Sequence, residues 1–428
     1  MRVSFTMGRL LELCILLFSF FLPFARSGIS LFAVLILLLF PFAAGKNKLQ
    51  TIFSQPATRA ILAYAAFVAL SLLWTEHFET GIQNLKNNGH LLLIPIMFTT
   101  LSSNGIKNAL KAFGAGLLVH LVAGYLGFFG WLPNLGDTAL FEPVYFMNRL
   151  DYVFILTIVS IFSLNRLLYK KKFTQESLLL GFFAAACLFT IFQLQARIAY
   201  FMLAAGLVLV PFLKFEGKQR IIATISSIVL VIVVFTAAFT FNQNFRKIVL
   251  HSQHSLSLLH RKAEAQYTTS WGMRIIAIKS GLELFQERPV FGYGVGDNIH
   301  VLREHLQKKK EQNEITPNTF NKLSVIFTNH FHNQYIEVLT QTGMAGLALM
   351  LWMFFTFWRM RPSEKSWNSF ASIFLVMLFT GFIAEPYMQK QFTSAMVAFT
   401  TGLFLAKART ETKEEVLEEQ KAHKVNKI

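Results

Sequence analysis

The stretch Arg220-Ile-Ile-Ala-Thr-Ile-Ser-Ser-Ile-Val-Leu-Val-Ile-Val-Val-Phe-Thr-Ala-Ala-Phe-Thr-Phe241 carries no charged side chain after its first residue. About 20 mostly apolar residues in helical form cross the hydrocarbon core of a bilayer, and this stretch has that length and character. Working outward in both directions gives further segments of the same kind. Together they predict spans at 8–25, 28–45, 58–74, 90–104, 109–132, 150–168, 177–195, 197–213, 220–241, 333–358, 367–385 and 390–407. The composition agrees. Of 428 residues, 54% are hydrophobic and only 15% are charged, against about 25% charged in an average soluble domain. Forty-six Phe cannot all be hidden in a water-soluble globule of this size. A soluble enzyme, a disordered chain and a nucleic-acid binder are therefore excluded, despite a net charge of +17. The expected fold is an all-α polytopic membrane protein with about 12 transmembrane helices.

The basic residues explain most of that charge. Lys46, Lys48 and Arg59, Lys107 and Lys111, Arg166 and Lys170 to Lys172, Lys214, Lys218 and Arg220, Arg359, Arg361 and Lys365, and the tail from Lys407 all fall in alternate connections. Cytoplasmic loops carry the excess of Lys and Arg, so these connections and both termini are expected in the cytoplasm. The first segment has Arg2 and Arg9 ahead of an apolar run, like a signal peptide. It lacks a clear small-x-small cleavage site, and Arg26 stands where one would be, so a retained anchor is expected. Cys14 and Cys187 lie inside apolar runs and read as small apolar residues.

The chain then divides into nine helices over 1–241, a large exterior loop over 242–331, three helices over 332–407 and a charged tail over 408–428. The loop holds twelve Lys and Arg against seven Asp and Glu, and six of the eleven His. A basic exterior loop suits an anionic substrate such as a phosphate-bearing lipid. Within it Trp271, Ile275, Ile278, Leu282 and Phe285 recur at helical spacing and predict the apolar face of an amphipathic helix that carries Arg274. Pro289 ends that helix. Phe291-Gly-Tyr-Gly-Val-Gly-Asp297 follows, with Gly292, Gly294 and Gly296, and Asp297 is placed to N-cap a second helix to about Gln312. The glycine run reads either as a tight turn or as a phosphate cradle; it lacks the Lys-Ser/Thr of a P-loop. His251, His254 and His260 have no recognised metal spacing. Only three Asp occur, at 137, 151 and 297, with no Asp-x-Asp pair. Clustered oxygen ligands for magnesium or manganese are therefore missing. No metal and no cofactor are expected, and His and Arg must supply the base and the charge stabilisation.

Three basic residues stand at expected membrane–exterior junctions. Arg197 lies in Gln195-Ala-Arg-Ile-Ala-Tyr200, Arg274 in the loop helix, and His332 in His332-Asn-Gln-Tyr-Ile-Glu-Val-Leu-Thr-Gln-Thr-Gly343-Met-Ala-Gly346. Taken singly, each has a plain structural reading: a snorkelling Arg, a solvated Arg, a polar residue at a helix start, and a Gly343/Gly346 packing notch. Together, His332-Asn333, nine residues, Gly343, two residues and Gly346 resemble the C-terminal signature of the O-antigen ligase/O-antigen polymerase superfamily. Arg274 followed by Glu287-Arg-Pro-Val-Phe-Gly-Tyr-Gly-Val-Gly296 is similar to that family's arginine helix and glycine turn. Gln195-Ala-Arg197 is a looser match to a Ser-x-Ser-Arg motif, because Gln and Ala replace the serines.

The resemblance implies a GT-C-like fold and a glycosyltransferase in the bacterial inner membrane with its site facing the periplasm. The donor would be a glycan on undecaprenyl diphosphate and the acceptor a lipid A-core sugar or another glycan. It maps the essential arginines onto Arg197 and Arg274 and the essential histidine onto His332. Two Arg suit a leaving diphosphate, and His suits a general base at neutral pH. Asn333, Tyr335, Glu385 and Gln389 are expected in acceptor-binding or supporting roles. A polymerase on the same carrier and a protein O-oligosaccharyltransferase share these motifs. A transporter, the reading from a different class, calls for mid-span charges, and this chain holds few. Membrane lipids are the other expected partner, and nucleic acid is not one.

Overall fold

The computed structural model describes residues 2–133, 142–194, 196–259, 269–327 and 330–425. All regular structure among the described residues is helical. The amino-terminal part comprises α1 (Arg2–Phe21), α2 (Arg26–Ala43), α3 (Lys46–Ser54), α4 (Pro56–Leu70), α5 (Phe78–Asn88), α6 (Leu93–Thr100) and α7 (Ser103–Phe128). Then come α8 (Arg149–Tyr169), α9 (Gln175–Gln193), α10 (Arg197–Lys214) and α11 (Gly217–Phe241). The segment expected as the exterior loop folds into α12 (Gln243–Leu259), α13 (Ser270–Glu287), α14 (Asn298–Glu311) and α15 (Pro317–Ile326). The chain ends with α16 (Gln334–Arg359), α17 (Lys365–Phe382) and α18 (Gln391–Val425).

Eight of these helices are long and apolar enough to cross a membrane: α2, α4 with its following turn to Trp74, α7 to α11, and α16. The chain is a multi-pass membrane protein. Local sequence sets their ends. Ser102 and Asn148 cap α7 and α8 through their side-chain oxygens, and Pro56 opens α4 where a missing N–H costs nothing.

The remaining expected spans have a different character. Segment 90–104 is not one span: a 3₁₀ turn at Gly89–Leu92 leads into α6, which has eight residues. At 1.5 Å per residue α6 covers about 12 Å, well short of a bilayer. Its residues are buried in protein instead. Segments 367–385 and 390–407 fall in α17 and α18, which are largely buried inside the bundle. Interior helices carry polar groups where those groups have partners. Asn165 of α8, for example, donates to Ser366 O at 2.7 Å and accepts from Ser369 Oγ at 2.8 Å. Segment 8–25 lies in α1, and α18 runs on through the charged tail to Val425.

Two cores result. The larger unites the bundle helices. The smaller joins α13, α14 and α15 to the start of α16 through Ala277, Leu284, Leu302, Leu323, Phe327 and Ile336. The expected stripe on α13 is corrected here. Ile275 and Leu282 are exposed, and the buried face is Gly272, Ile276, Ala277, Ser280, Gly281 and Leu284. Close approach decides this. A Cβ on Gly281 would collide with Ile336 of α16, so the contact face is centred on small residues, with Ile276 and Leu284 beside them.

Candidate active site

The site is built where α16 begins. Asn333 caps this helix: its Oδ1 accepts from Tyr335 N and Ile336 N at 2.9 and 3.0 Å. Its amide also donates to Ile383 O at 2.9 Å, tying the cap to the end of α17. His332, one residue earlier, has φ +55°. A non-glycine residue held there is uncommon, and the cap on one side and buried Phe331 on the other hold it in place. Buried Glu337 accepts from Phe331 N and Gln341 Nε2, both at 2.9 Å, and from Asn298 Nδ2, which locks α14 to α16.

The turn between α17 and α18 supplies the anion. Glu385 is fully buried, and its Oε1 lies 3.3 Å from His332 Nδ1 and 3.7 Å from Arg274. Its Oε2 lies 2.5 Å from Lys390 Nζ, and Lys390 also sits 3.9 Å from Asp151 of α8. Burial alone would push the Glu385 pKa up. Lys390 beside it, together with the hydrogen bond from His332 and the neighbouring His330, holds it well below the usual carboxylate range. His330 is pushed down to about 3 by burial and by the positive charge of Lys390, and its ring meets His332 edge-on at 4.3 Å. Arg197, at the first turn of α10, is near enough to Arg274 for the two guanidinium groups to repel each other. One of its terminal nitrogens is buried with no hydrogen-bond partner.

The structure therefore brings Arg197, Arg274, His332 and Glu385 together from four separate parts of the chain. Tyr335 and Gln389 stand close by with their polar atoms engaged in the scaffold. The Tyr335 hydroxyl donates to Phe379 O at 3.1 Å, and the Gln389 amide donates to Gln341 Oε1 at 3.2 Å. Gln195 lies outside the described residues, as does His260. His330, His332 and Glu385 place ligand-type atoms within 4.8 Å of one another. Lys390 and Arg274 already bracket that carboxylate, so the donor set is that of an ion-pair network. Lys390, His330 and Asp151 were not singled out in the sequence as site residues. A lysine within Met-Gln-Lys-Gln has no spacing signal; only the fold shows that it neutralises Glu385.

The glycine motifs prove to be one device. Gly343 interrupts α16 with φ +63° and ψ −161°. The break strands the carbonyls of Thr340 and Gln341 and the N–H groups of Met344 and Ala345. Segment 289–294 pairs with all four. Tyr293 N and Gly294 N donate to Thr340 O and Gln341 O, both at 2.9 Å, while Met344 N and Ala345 N donate to Pro289 O at 2.8 Å and Val290 O at 3.2 Å. Gly292 has φ +66°, and a Cβ on it would stand 2.6 Å from Gln341 C. The N–H groups of Tyr293 and Gly294 are thus spent on α16, and those of Gly292 and Asp297 on Arg288 O and Gly294 O, which favours the tight-turn reading. Gly343 makes a helix break and not the expected packing notch, whereas Gly346 does face Phe67 of α4. Asp297 occupies the N-cap position of α14 without capping it. Its carboxylate instead takes Glu76 N and His77 N at 2.8 Å, which holds the segment before α5 against the glycine turn.

Residues 181–351 match the family model described as O-antigen ligase. That segment is an O-antigen ligase family domain. The match runs from α9 to the middle of α16 and so includes Arg197, Arg274, His332 and all five motif glycines. Members of the O-antigen ligase family are membrane glycosyltransferase-like enzymes. No curated protein matches the chain.

Proposed function

We propose that this protein transfers a glycan from undecaprenyl diphosphate to a lipid A-core sugar on the periplasmic side of the bacterial inner membrane. The carrying observation is the meeting of two mutually repelling guanidinium groups with a histidine hydrogen-bonded to a buried carboxylate. Glu385 lies 3.7 Å from Arg274, whereas Arg197 has a buried guanidinium nitrogen with no hydrogen-bond partner, and a diphosphate supplies an anion for it.

In this reading His332 donates Nδ1–H to Glu385, which leaves the Nε2 lone pair for the acceptor hydroxyl. That oxygen attacks the anomeric carbon as its proton passes to Nε2, and the bond to the diphosphate oxygen breaks with its electron pair leaving on the phosphate. Arg197 and Arg274 stabilise the developing charge, and ionised Glu385 stabilises the imidazolium. Direct displacement inverts the anomeric centre. Lys390 is a positioning residue that keeps Glu385 ionised.

The test is deletion of the gene followed by gel analysis of surface glycolipid. Bare core with glycan stranded on the lipid carrier is the expected result. Core bearing one repeat unit would instead identify a polymerase. Unchanged glycolipid with altered glycoprotein would identify protein glycosylation.

A further inference from the structure

A cavity of about 500 Å³ is lined in part by Lys390 and His330, which contact Glu385 and His332 of the site respectively. Pockets for small-molecule ligands run from about 300 to 1,000 Å³ and are mostly apolar. This one is not. Amide side chains from α5 and from the α17–α18 turn line it, among them Asn84, Asn87 and Gln389. Such walls reject an acyl or prenyl chain and suit the hydroxyls of a sugar, which both donate and accept.

Its charge is one-sided. Arg26 enters from the start of α2, Arg303 from α14 and Lys390 from the turn, while Asp151 is the single carboxylate in the lining. Lys390 lies 3.9 Å from that carboxylate. Arg303 is half-buried and forms no ion pair within 4 Å among the described residues, while Arg26 is exposed, stands over the Phe392 ring and is near enough to Asp151 to attract it without a direct ion pair. Lys390 already pairs with Asp151, so the half-buried Arg303 guanidinium is left to receive an anion.

We propose that this cavity, through Arg26 and Arg303 and its amide walls, binds an acidic sugar residue, one bearing a carboxylate or a phosphate group, of the glycan handled at the adjoining site. The inference rests on the glycosyl-transfer reading for its link to catalysis, but binding itself is measured without transfer.

The full-length protein in nanodiscs is titrated with glucuronic acid, glucose 6-phosphate, glucose and inorganic phosphate. At least one acidic sugar should bind about tenfold or more tighter than glucose, the range expected for one charge-assisted hydrogen bond. Arg303→Gln and Arg26→Gln should each remove most of that advantage while thermal unfolding stays unchanged. Equal binding of glucose, phosphate binding as tightly as either acidic sugar, or full advantage in both variants overturns the proposal. In a transfer assay, Arg303→Gln should raise KM for the donor or for the acceptor, and the one that rises identifies which glycan carries the acid. Absent binding in a protein that still transfers overturns this inference alone. Wild-type transfer by His332→Ala overturns the reading of the active site and leaves the binding result standing.

Discussion

Helices α11 and α16 are nearly equal in length, at 25 and 26 residues, and both are candidate spans. They differ in everything else. Helix α11 has no buried residue and no break, and near its centre Ser227 Oγ donates to Leu207 O of α10 at 2.8 Å. Helix α16 is buried along much of its length, breaks at Gly343, and carries Glu337, Thr340 and Gln341 in its interior-facing first half. The first must be apolar on its exposed faces and pack against its neighbours only through a few positions such as Phe235 and Ser227. The second must hold a histidine, receive a glycine turn and anchor two helices of the loop layer. The strongest hydrophobic signal thus marks the least specified helix, and the interrupted one marks the site.

Substitutions sharpen that contrast. The largest effect belongs to His332→Ala and Arg274→Ala. Each should reduce glycan transfer by about 10²- to 10⁴-fold with the protein still inserted in the membrane. Wild-type transfer by either variant would break the assignment of the α16 end as the site. Next comes Lys390→Met, which removes the nearer of the two cations that bracket the buried carboxylate of Glu385. A loss of about 3–5 kcal/mol is expected, read as earlier thermal unfolding in detergent, and Glu385→Gln placed on top should restore part of it. Gly343→Ala forces a side chain into a positive-φ conformation against Val290 O. It should cost about 1–3 kcal/mol or more and lower unfolding temperature and transfer together. The smallest effect belongs to α11, where Val229→Leu and Ile232→Leu should stay within about 0.5 kcal/mol. A large loss there would show that the exposed face of α11 has a protein partner beyond its contact with α10.

Acid provides an independent handle on the same network. The Glu385 pKa is depressed in the folded protein, so folding favours its ionised form. That contribution is fully present above the ordinary glutamate value of about 4.3 and is lost as pH falls below it. Thermal stability should decline below about pH 4, and Glu385→Gln should decline less steeply. Equal slopes in the two proteins would remove Glu385 from the account.

Much of this was legible in the residues. The apolar runs located the helices now seen as eight candidate spans, and the spacing of His332, Gly343 and Gly346 pointed to the part of α16 that builds the site. What was not legible depends on long-range packing. The stripe from Trp271 to Phe285 suggested that large side chains face inward on α13. Ile336 instead demands the small face at Gly281, and nothing local to α13 encodes that demand. Segment 90–104 had the hydropathy of a span because a short helix buried in protein is as apolar as one buried in lipid. Glu385 drew notice as a turn carboxylate, but its neutralisation by Lys390 needs the fold. The glycine run had two readings because sequence does not say where its N–H groups point; the hydrogen bonds to Thr340 and Gln341 favour the tight turn.

The pairing of segment 289–294 with the break in α16 also orders biosynthesis. The ribosome makes the glycine turn first, so the N–H groups of Tyr293 and Gly294 wait for carbonyls not yet translated. Until Ala345 is in place, neither the turn nor the span has its full set of backbone hydrogen bonds. A chain truncated just before Gly343 would contain the complete turn and the carbonyls of Thr340 and Gln341, yet lack the Met344 and Ala345 N–H groups that complete the pairing.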